Sequence, residues 1–142
     1  MKQIGLFSVF AFLLTFLTAP VWAAEGVKIT SVMQASETLI GQKISYPKTD
    51  KAEMTALLVD MEPGTEVGLH MHPVPLVVYV LSGTLTVEVQ DGSKHEIEAG
   101  KAFLEVVNTW HNGFNKGKTP LKFFVVFAGE EGKMNLIRAE QK

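Results

Sequence analysis

The chain has 142 residues and a formal net charge of −2, with 13 Lys and Arg against 15 Asp and Glu. Nucleic acid is therefore not an expected partner, because binding it takes clusters of basic side chains that neutralise phosphates. The absence of cysteine excludes disulfides, a thiolate nucleophile, and cysteine-ligated zinc or iron–sulfur sites.

Residues 1–23 predict a signal peptide. Lys2 supplies the positive charge, residues 4–17 are uncharged and mostly apolar, and Pro20 interrupts the helix shortly before small residues suited to cleavage. An uncleaved anchor helix is the alternative, but a span needs about 20 apolar residues and would have to include the proline. We expect a single domain over residues 24–142, exported to the periplasm or secreted and free of the membrane after cleavage.

After residue 25 the sequence consists of short β-branched and aromatic runs separated by turn signals. This pattern is typical of an all-β sandwich or barrel. The predicted strands cover residues 26–32, 39–46, 55–61, 76–81, 84–89, 94–97, 102–106, 110–114, 121–127 and 134–137. Ser82-Gly83 predicts a tight hairpin between the fourth and fifth of these strands, and Asp91-Gly92 predicts another between the fifth and sixth. The very apolar run at 121–127 predicts a central strand.

Two of the four histidines are spaced for one face of a strand. His70 and His72 are two residues apart, so on a strand both imidazoles project to the same side. Such a pair can bind one metal ion at about 2.0–2.1 Å from each nitrogen. The alternative is an exposed strand with two incidental histidines. His95, between Lys94 and Glu96, is expected at the surface.

Two groups of residues resemble the conserved motifs of the cupin superfamily. The first motif is represented by Gly64, His70, His72, Pro73 and the sequence Tyr-Val-Leu-Ser-Gly at 79–83. The second is represented by Gly100, His111 and Asn115. The resemblance implies an antiparallel double-stranded β-helix, or jelly-roll barrel. It also implies one divalent metal ion held by His70, His72 and His111, and a homodimer. The ligand set does not choose among Zn, Fe, Mn, Ni and Cu.

Two positions depart from these motifs. The first motif usually carries a glutamate four residues after its second histidine, where this chain has Leu76. The second usually has Pro-x-Gly before the third histidine, where this chain has Val106-Val107-Asn108. The leucine removes one metal ligand. A three-histidine site with open positions remains chemically reasonable, and another carboxylate filling the gap is the alternative.

Glu105 is the first candidate for that carboxylate. Because side chains alternate along a strand, Glu105 faces the barrel interior if Phe103 does, and faces solvent if Ala102 and Leu104 point inward. Glu66, in the loop before His70, is a weaker candidate. Glu105 and Tyr79 are also the nearest candidates for a catalytic general base.

The parity of the strand at 76–81 also predicts a pocket wall. Leu76, Val78 and Val80 share one face and should line the barrel, with further contributions from Met61, Phe103 and Phe123 or Phe124. Such a pocket favours an apolar or aromatic small molecule over a sugar. Two functions stay open: a metalloenzyme of oxygenase, isomerase or lyase type, and a non-catalytic envelope protein that binds metal or a small ligand. A metal-free structural barrel is a third reading, against which the three histidines argue.

Overall fold

The computed structural model describes residues 25–140, so the predicted signal peptide lies outside the described residues. The chain divides into two units, Met1–Thr30 and Ser31–Lys142, and the strands described below all belong to the second. Residues 25–140 contain no helix, and hence none long and apolar enough to span a membrane.

Nine strands form two antiparallel sheets in this part of the chain. The strands are β1 (Ala52–Met61), β2 (His70–Met71), β3 (Leu76–Ser82), β4 (Thr84–Val89), β5 (Lys94–Glu98), β6 (Ala102–Leu104), β7 (His111–Phe114), β8 (Leu121–Glu130) and β9 (Ile137–Arg138). One sheet has the order β1-β8-β3-β6 and the other β5-β4-β7-β2-β9. This arrangement confirms the predicted all-β jelly roll. It also places β8 inside its sheet, as the apolar run predicted.

The core lies between the two sheets and follows the period-2 alternation of the strands. On β3, Leu76, Val78 and Val80 are buried while Val77 and Tyr79 are only partly so. β8 alternates in the same way along its length. Burying one face of each strand against the other sheet supplies the main favourable term for folding in a chain without disulfides.

The predicted hairpin at Ser82-Gly83 is wrong. β3 pairs with β6 and β8, whereas β4 pairs with β5 and β7, so the chain changes sheets at this turn. Gly83 has a φ of +78°, and a Cβ there would lie 3.0 Å from the Cα of Leu121. A turn signal shows that the chain reverses but not which strand receives its hydrogen bonds. The second predicted hairpin, β4 to β5, is confirmed.

Two predicted early strands are also wrong. Residues 26–32 join no sheet, and Val27, Ile29 and Val32 are 53%, 64% and 54% exposed. Residues 39–46 begin inside a turn closed by the N–H of Gly41 and the carbonyl of Thr38, and they join no sheet; Lys43 forms an isolated bridge with Glu37. Strand propensity describes a side chain's fit to a pleated, half-buried surface, and a strand forms only where a neighbour pairs with its backbone. The last predicted strand is displaced to β9.

Candidate metal centre

The pairing of β2 with β7 brings three histidines into one cluster. β2 and β7 run antiparallel with His70 directly opposite His111, which places both side chains on one face. His72 lies two residues beyond His70 and completes the group, with ring centroids 4.8, 4.3 and 5.0 Å apart. All three are buried, and one nitrogen from each lies within 4.8 Å of the others.

Each imidazole is oriented by a backbone carbonyl. The Nδ1 of His70 donates to the carbonyl of Gly68 at 2.6 Å, that of His72 to Asn135 at 2.9 Å, and that of His111 to Thr109 at 2.9 Å. Because a carbonyl only accepts hydrogen bonds, these contacts assign the proton to Nδ1 and leave the Nε2 lone pair free.

The Nε2 atoms of the three histidines have the free lone pairs that a metal ion requires. Among residues 25–140, no group forms a hydrogen bond with the buried Nε2 of His111. A buried nitrogen without a partner is costly unless another species satisfies it. Three neutral imidazoles with free Nε2 atoms are a ligand set used by divalent transition metals, so the cluster suggests a metal ion without identifying it.

Burial keeps these imidazoles neutral. Desolvation lowers the pKa of His70, lowers that of His72 to about 3 and lowers that of His111 to about 4. The hydrogen bonds to the backbone carbonyls act in the opposite direction but are the smaller effect. At neutral pH all three therefore stay in the form that binds metals.

The carbonyl that orients His70 is itself fixed by a polar network. Gly68 has a φ of +92°, a conformation that glycine adopts readily. Its N–H donates to the Oδ1 of Asn112 at 2.9 Å, and the Nδ2 of Asn112 donates to Glu66 at 2.6 Å. Glu66, the weaker carboxylate candidate, thus belongs to this exposed outer network and not to the histidine cluster.

The turn before His111 is held by a residue from the N-terminal segment. The Nε2 of Gln42 donates to the carbonyl of Val107 at 3.1 Å and to the Oγ1 of Thr109 at 2.9 Å. Its Oε1 accepts the N–H of Val107 at 3.1 Å. Gln42 thereby fixes the segment whose carbonyl orients His111, although nothing in the sequence around it signalled this role.

Asn108 explains how the chain tolerates the altered second motif. It has a φ of +49°, the only positive value for a non-glycine residue in the described part of the chain. Asparagine adopts this left-handed conformation more readily than most residues. Its N–H donates to the carbonyl of His72 at 2.8 Å. Asn108 therefore occupies a left-handed conformation that glycine also adopts readily, and it links two of the histidine-bearing segments.

Asn135, which orients His72, depends in turn on a glycine. Its Nδ2 donates to the Oγ1 of Thr55 at 2.9 Å, and its side chain lies against Gly129 so closely that a Cβ there would collide with it. Sequence reasoning missed this residue because it lies 63 positions from the histidine that it supports.

Substituting Gly129 with alanine should weaken metal binding while leaving the barrel folded. The new methyl group would displace Asn135 and with it the carbonyl that orients His72. Loss of such an orienting partner typically costs about 10–100-fold in metal affinity. Metal dissociation constants measured by chelator competition check this, with Glu131→Ala at an exposed neighbouring position as the control. An unchanged constant in folded Gly129→Ala would contradict the role of Asn135.

Glu105 lies in the barrel interior, next to the histidines. It is 5% exposed, its Oε1 accepts the N–H of Val106 at 3.0 Å, and its Oε2 lies 4.0 Å from the Nε2 of His111. Phe103 is also buried, as the alternation required, so the solvent-facing alternative is wrong. Burial raises the pKa of the Glu105 carboxyl to about 7.

The histidines and Glu105 line a cavity of about 100 Å³ whose remaining wall is apolar. Its wall includes Leu76, Val78, Val87, Phe123, Val125 and Phe127. Of the predicted face of β3, Leu76 and Val78 therefore line the cavity, whereas Val80 is buried in the core without reaching it. Of the two alternatives at 123 and 124, Phe123 contributes, whereas Phe124 is 40% exposed.

Several other candidates lie elsewhere. Tyr79 is on the opposite face of β3 from Val78 and Val80 and does not line this cavity, so its position does not support a role as general base there. Met61 and Phe103 are buried in the core without reaching the cavity wall. His95 is half-buried on β5, outside the cluster.

Asn115, the last residue of the second motif, holds backbone segments together. Its side chain is 1% exposed, and its Nδ2 donates to the carbonyls of Met61 at 2.9 Å and Thr119 at 3.0 Å. Its Oδ1 accepts the N–H of Gly117 at 3.1 Å. Asn115 therefore ties the end of β1 to the loop that follows β7, and it is not part of the histidine cluster.

Comparison with known proteins gives a family match and several similar structures. A cupin-domain model matches residues 57–127, and no curated protein matches. A protein from Bacillus halodurans is 27% identical, with a TM-score of 0.51 over 58% of this chain and 67% of that chain. An oxalate decarboxylase is 27% identical, with a TM-score of 0.52 over 60% of this chain and 23% of its own.

DMSP lyases share the fold. The DMSP lyase DddQ of Ruegeria pomeroyi is 17% identical, with a TM-score of 0.53, and 63% of this chain is covered. This chain spans only 44% of the length of that lyase.

Proposed function

Because the chain belongs to the cupin family, we propose that it binds one divalent transition-metal ion through His70, His72 and His111 and acts on a small organic molecule at that ion. The observation that carries the proposal is the orientation of the three rings. Every Nδ1 is engaged by a carbonyl, so the metal-binding nitrogens are the ones left for the cluster interior.

The protein groups would divide the work between holding the ion and shaping the cavity. A bound divalent ion acts as a Lewis acid, or activates dioxygen if it is redox-active. The three imidazoles would hold it, and the apolar wall would exclude water and so strengthen electrostatic interactions inside. A substrate that fits this site would therefore have one end that binds the metal ion and one apolar end.

The cavity wall narrows the substrate class. In the described part of the chain no lysine or arginine lines the cavity, so a second carboxylate or a phosphate on the substrate would be buried without a cation. The similarity to an oxalate decarboxylase supports a small oxygen-bearing substrate, but a dicarboxylate does not suit this wall. We propose a molecule with one oxygen donor for the metal, such as an enol, phenol or ketone, and a compact apolar remainder.

Non-catalytic binding is the second candidate, and one observation favours it. Apart from the histidines, Glu105 is the only ionisable residue in the cavity lining among residues 25–140. If Glu105 is engaged elsewhere, no general base remains for lyase or isomerase chemistry. The protein would then hold its ligand or catalyse only metal-centred steps.

Elemental analysis followed by turnover tests would check the proposed function. We expect about one transition-metal ion per chain in protein purified from its native compartment. We also expect turnover of a small phenol or enol that ends when a chelator removes the ion and returns when the ion is restored. A ligand that binds with the metal but is not consumed would support the non-catalytic candidate. A folded protein that takes up no metal would overturn both.

Two further features belong to the proposal. We propose that the protein is exported, to the periplasm or outside the cell, on the strength of the predicted signal peptide. The homodimer implied by the family resemblance stays a prediction, which sedimentation equilibrium of the mature chain would check.

A further inference from the structure

The position of the missing motif glutamate is next to Glu105. Leu76 is 3% exposed and lines the cavity with the histidines, so a carboxylate at 76 would have faced the cluster. β6 pairs antiparallel with β3, with Val77 opposite Leu104. Continuing that register sets Glu105 opposite Leu76, and the N–H of Glu105 donates to the carbonyl of Leu76 at 3.3 Å.

Opposed residues on neighbouring strands project their side chains to the same face, with Cβ atoms about 4.5–5.5 Å apart. A glutamate side chain is long enough to bridge most of that distance. The Glu105 carboxylate therefore reaches the space that a glutamate at 76 would have filled, and its Oε2 is 4.0 Å from the Nε2 of His111. Its Oε1 is fixed by the N–H of Val106, which limits the rotation of the group.

We propose that Glu105 is the fourth protein ligand of the metal ion, a carboxylate supplied by the neighbouring strand in place of the motif glutamate lost at Leu76. The inference rests on the proposed metal site and adds a residue that the family motif does not contain.

The surroundings of Glu105 argue against a purely structural role. It is buried with no lysine or arginine in ion-pair contact among the described residues. The basic side chain within 4.0 Å is His111, whose Nδ1 donates to a carbonyl and whose Nε2 has no hydrogen-bond partner among these residues. An isolated buried carboxylate is costly in a protein interior. A divalent ion held by the three histidines is the cation that this position lacks.

The assignment also bears on the chemistry. With Glu105 bound to the ion, no other carboxyl group of residues 25–140 lines the cavity to abstract a proton. Any reaction would then be centred on the metal and its open positions.

This inference is tested by restoring a glutamate at position 76 in a variant that lacks the Glu105 carboxylate. Glu105→Gln keeps the shape and the acceptor for the Val106 N–H but removes the charge. Leu76→Glu in the same chain restores a carboxylate at the motif position. Glu96→Gln, exposed on β5 and outside the cavity lining, is the matched control. The measurements are the dissociation constant for Co²⁺ by chelator competition and the visible absorption spectrum of the Co²⁺-loaded protein.

We expect Glu105→Gln to weaken Co²⁺ binding by about 100-fold or more and to change the spectrum, because loss of a ligand should exceed the loss of an orienting partner. The double variant Leu76→Glu/Glu105→Gln should recover most of the affinity, and Glu96→Gln should match the wild type. Unchanged affinity and spectrum in Glu105→Gln, or no recovery in a folded double variant, would overturn the inference.

Two further measurements cover the case in which Glu105→Gln does not fold, and distinguish a failure of this inference from a failure of the proposed function. If Glu105→Gln does not fold, proton NMR of the Co²⁺-loaded wild type decides: metal-shifted glutamate methylene signals beside three exchangeable imidazole signals support the ligand, and their absence overturns it. Metal loss in His111→Ala but not in Glu105→Gln would reject only Glu105. Metal retention in His111→Ala would reject the proposed function as well.

Discussion

Replacing His111 by alanine should remove nearly all the bound metal while leaving the barrel folded. His111 lies opposite His70 across the β2–β7 pair, with the two ring centroids 4.3 Å apart. Without it only two imidazoles of the cluster remain, so the ion loses one of its three nitrogen ligands. We expect affinity to fall by more than the 10–100-fold typical of losing an orienting partner.

The measurement is metal per chain after dialysis, together with circular dichroism to confirm the fold. His95→Ala is the matched control, since it removes the one histidine outside the cluster. It should keep the wild-type metal content. One ion per chain in folded His111→Ala would show that the ion is bound elsewhere.

The metal-free protein should lose stability as the pH falls below about 6.5. In the unfolded chain a histidine has a pKa near 6.5, whereas in the fold that of His72 is about 3 and that of His111 about 4. Between these values the unfolded state binds protons that the folded state excludes, so acidification favours unfolding. Each histidine adds up to about 1.4 kcal/mol per pH unit to the slope of unfolding free energy against pH.

Glu105 has the opposite effect on the pH dependence of stability over part of this pH range. Its pKa is raised from 4.5 to about 7, so between these values the folded state holds a proton that the unfolded state releases. Its contribution to stability is therefore lost as the pH rises through that window. The net loss from pH 7 to pH 4.5 should be on the order of 2 kcal/mol in the wild type and about 5 kcal/mol in Glu105→Gln.

Urea denaturation of chelator-treated protein between pH 4.5 and 7.5 measures both effects. The slope of unfolding free energy against pH should be positive in the wild type and steeper in Glu105→Gln. A flat or negative slope in Glu105→Gln would mean that the histidines are protonated in the folded state, which would contradict their burial as neutral groups.

The sequence predicted more of the site than of the topology. The spacing of His70 and His72, together with the second motif around His111, was sufficient to select three residues that lie in one cluster. The parity of β3 was also sufficient to place Leu76 at the cavity. Both predictions rest on the two-residue period of a strand, which is a local property of the backbone.

The topology depends on which strands pair with each other, and local sequence patterns do not determine that pairing. Residues 26–32 have the alternation of a strand but no neighbour in a sheet, and Ser82-Gly83 has the composition of a hairpin but connects two sheets. Which strand accepts another's hydrogen bonds is decided by the closure of the whole barrel.

The sequence by itself determined the all-β class, the three histidines and the replacement of the motif glutamate by Leu76. Only the tertiary structure decided that Glu105 points inward beside that leucine, and that Gln42, Asn112 and Asn135 fix the carbonyls that orient the rings. The physical reason is distance along the chain. A side chain's face follows from its own strand, whereas the partner that holds it lies dozens of residues away and meets it only after the sheets have packed.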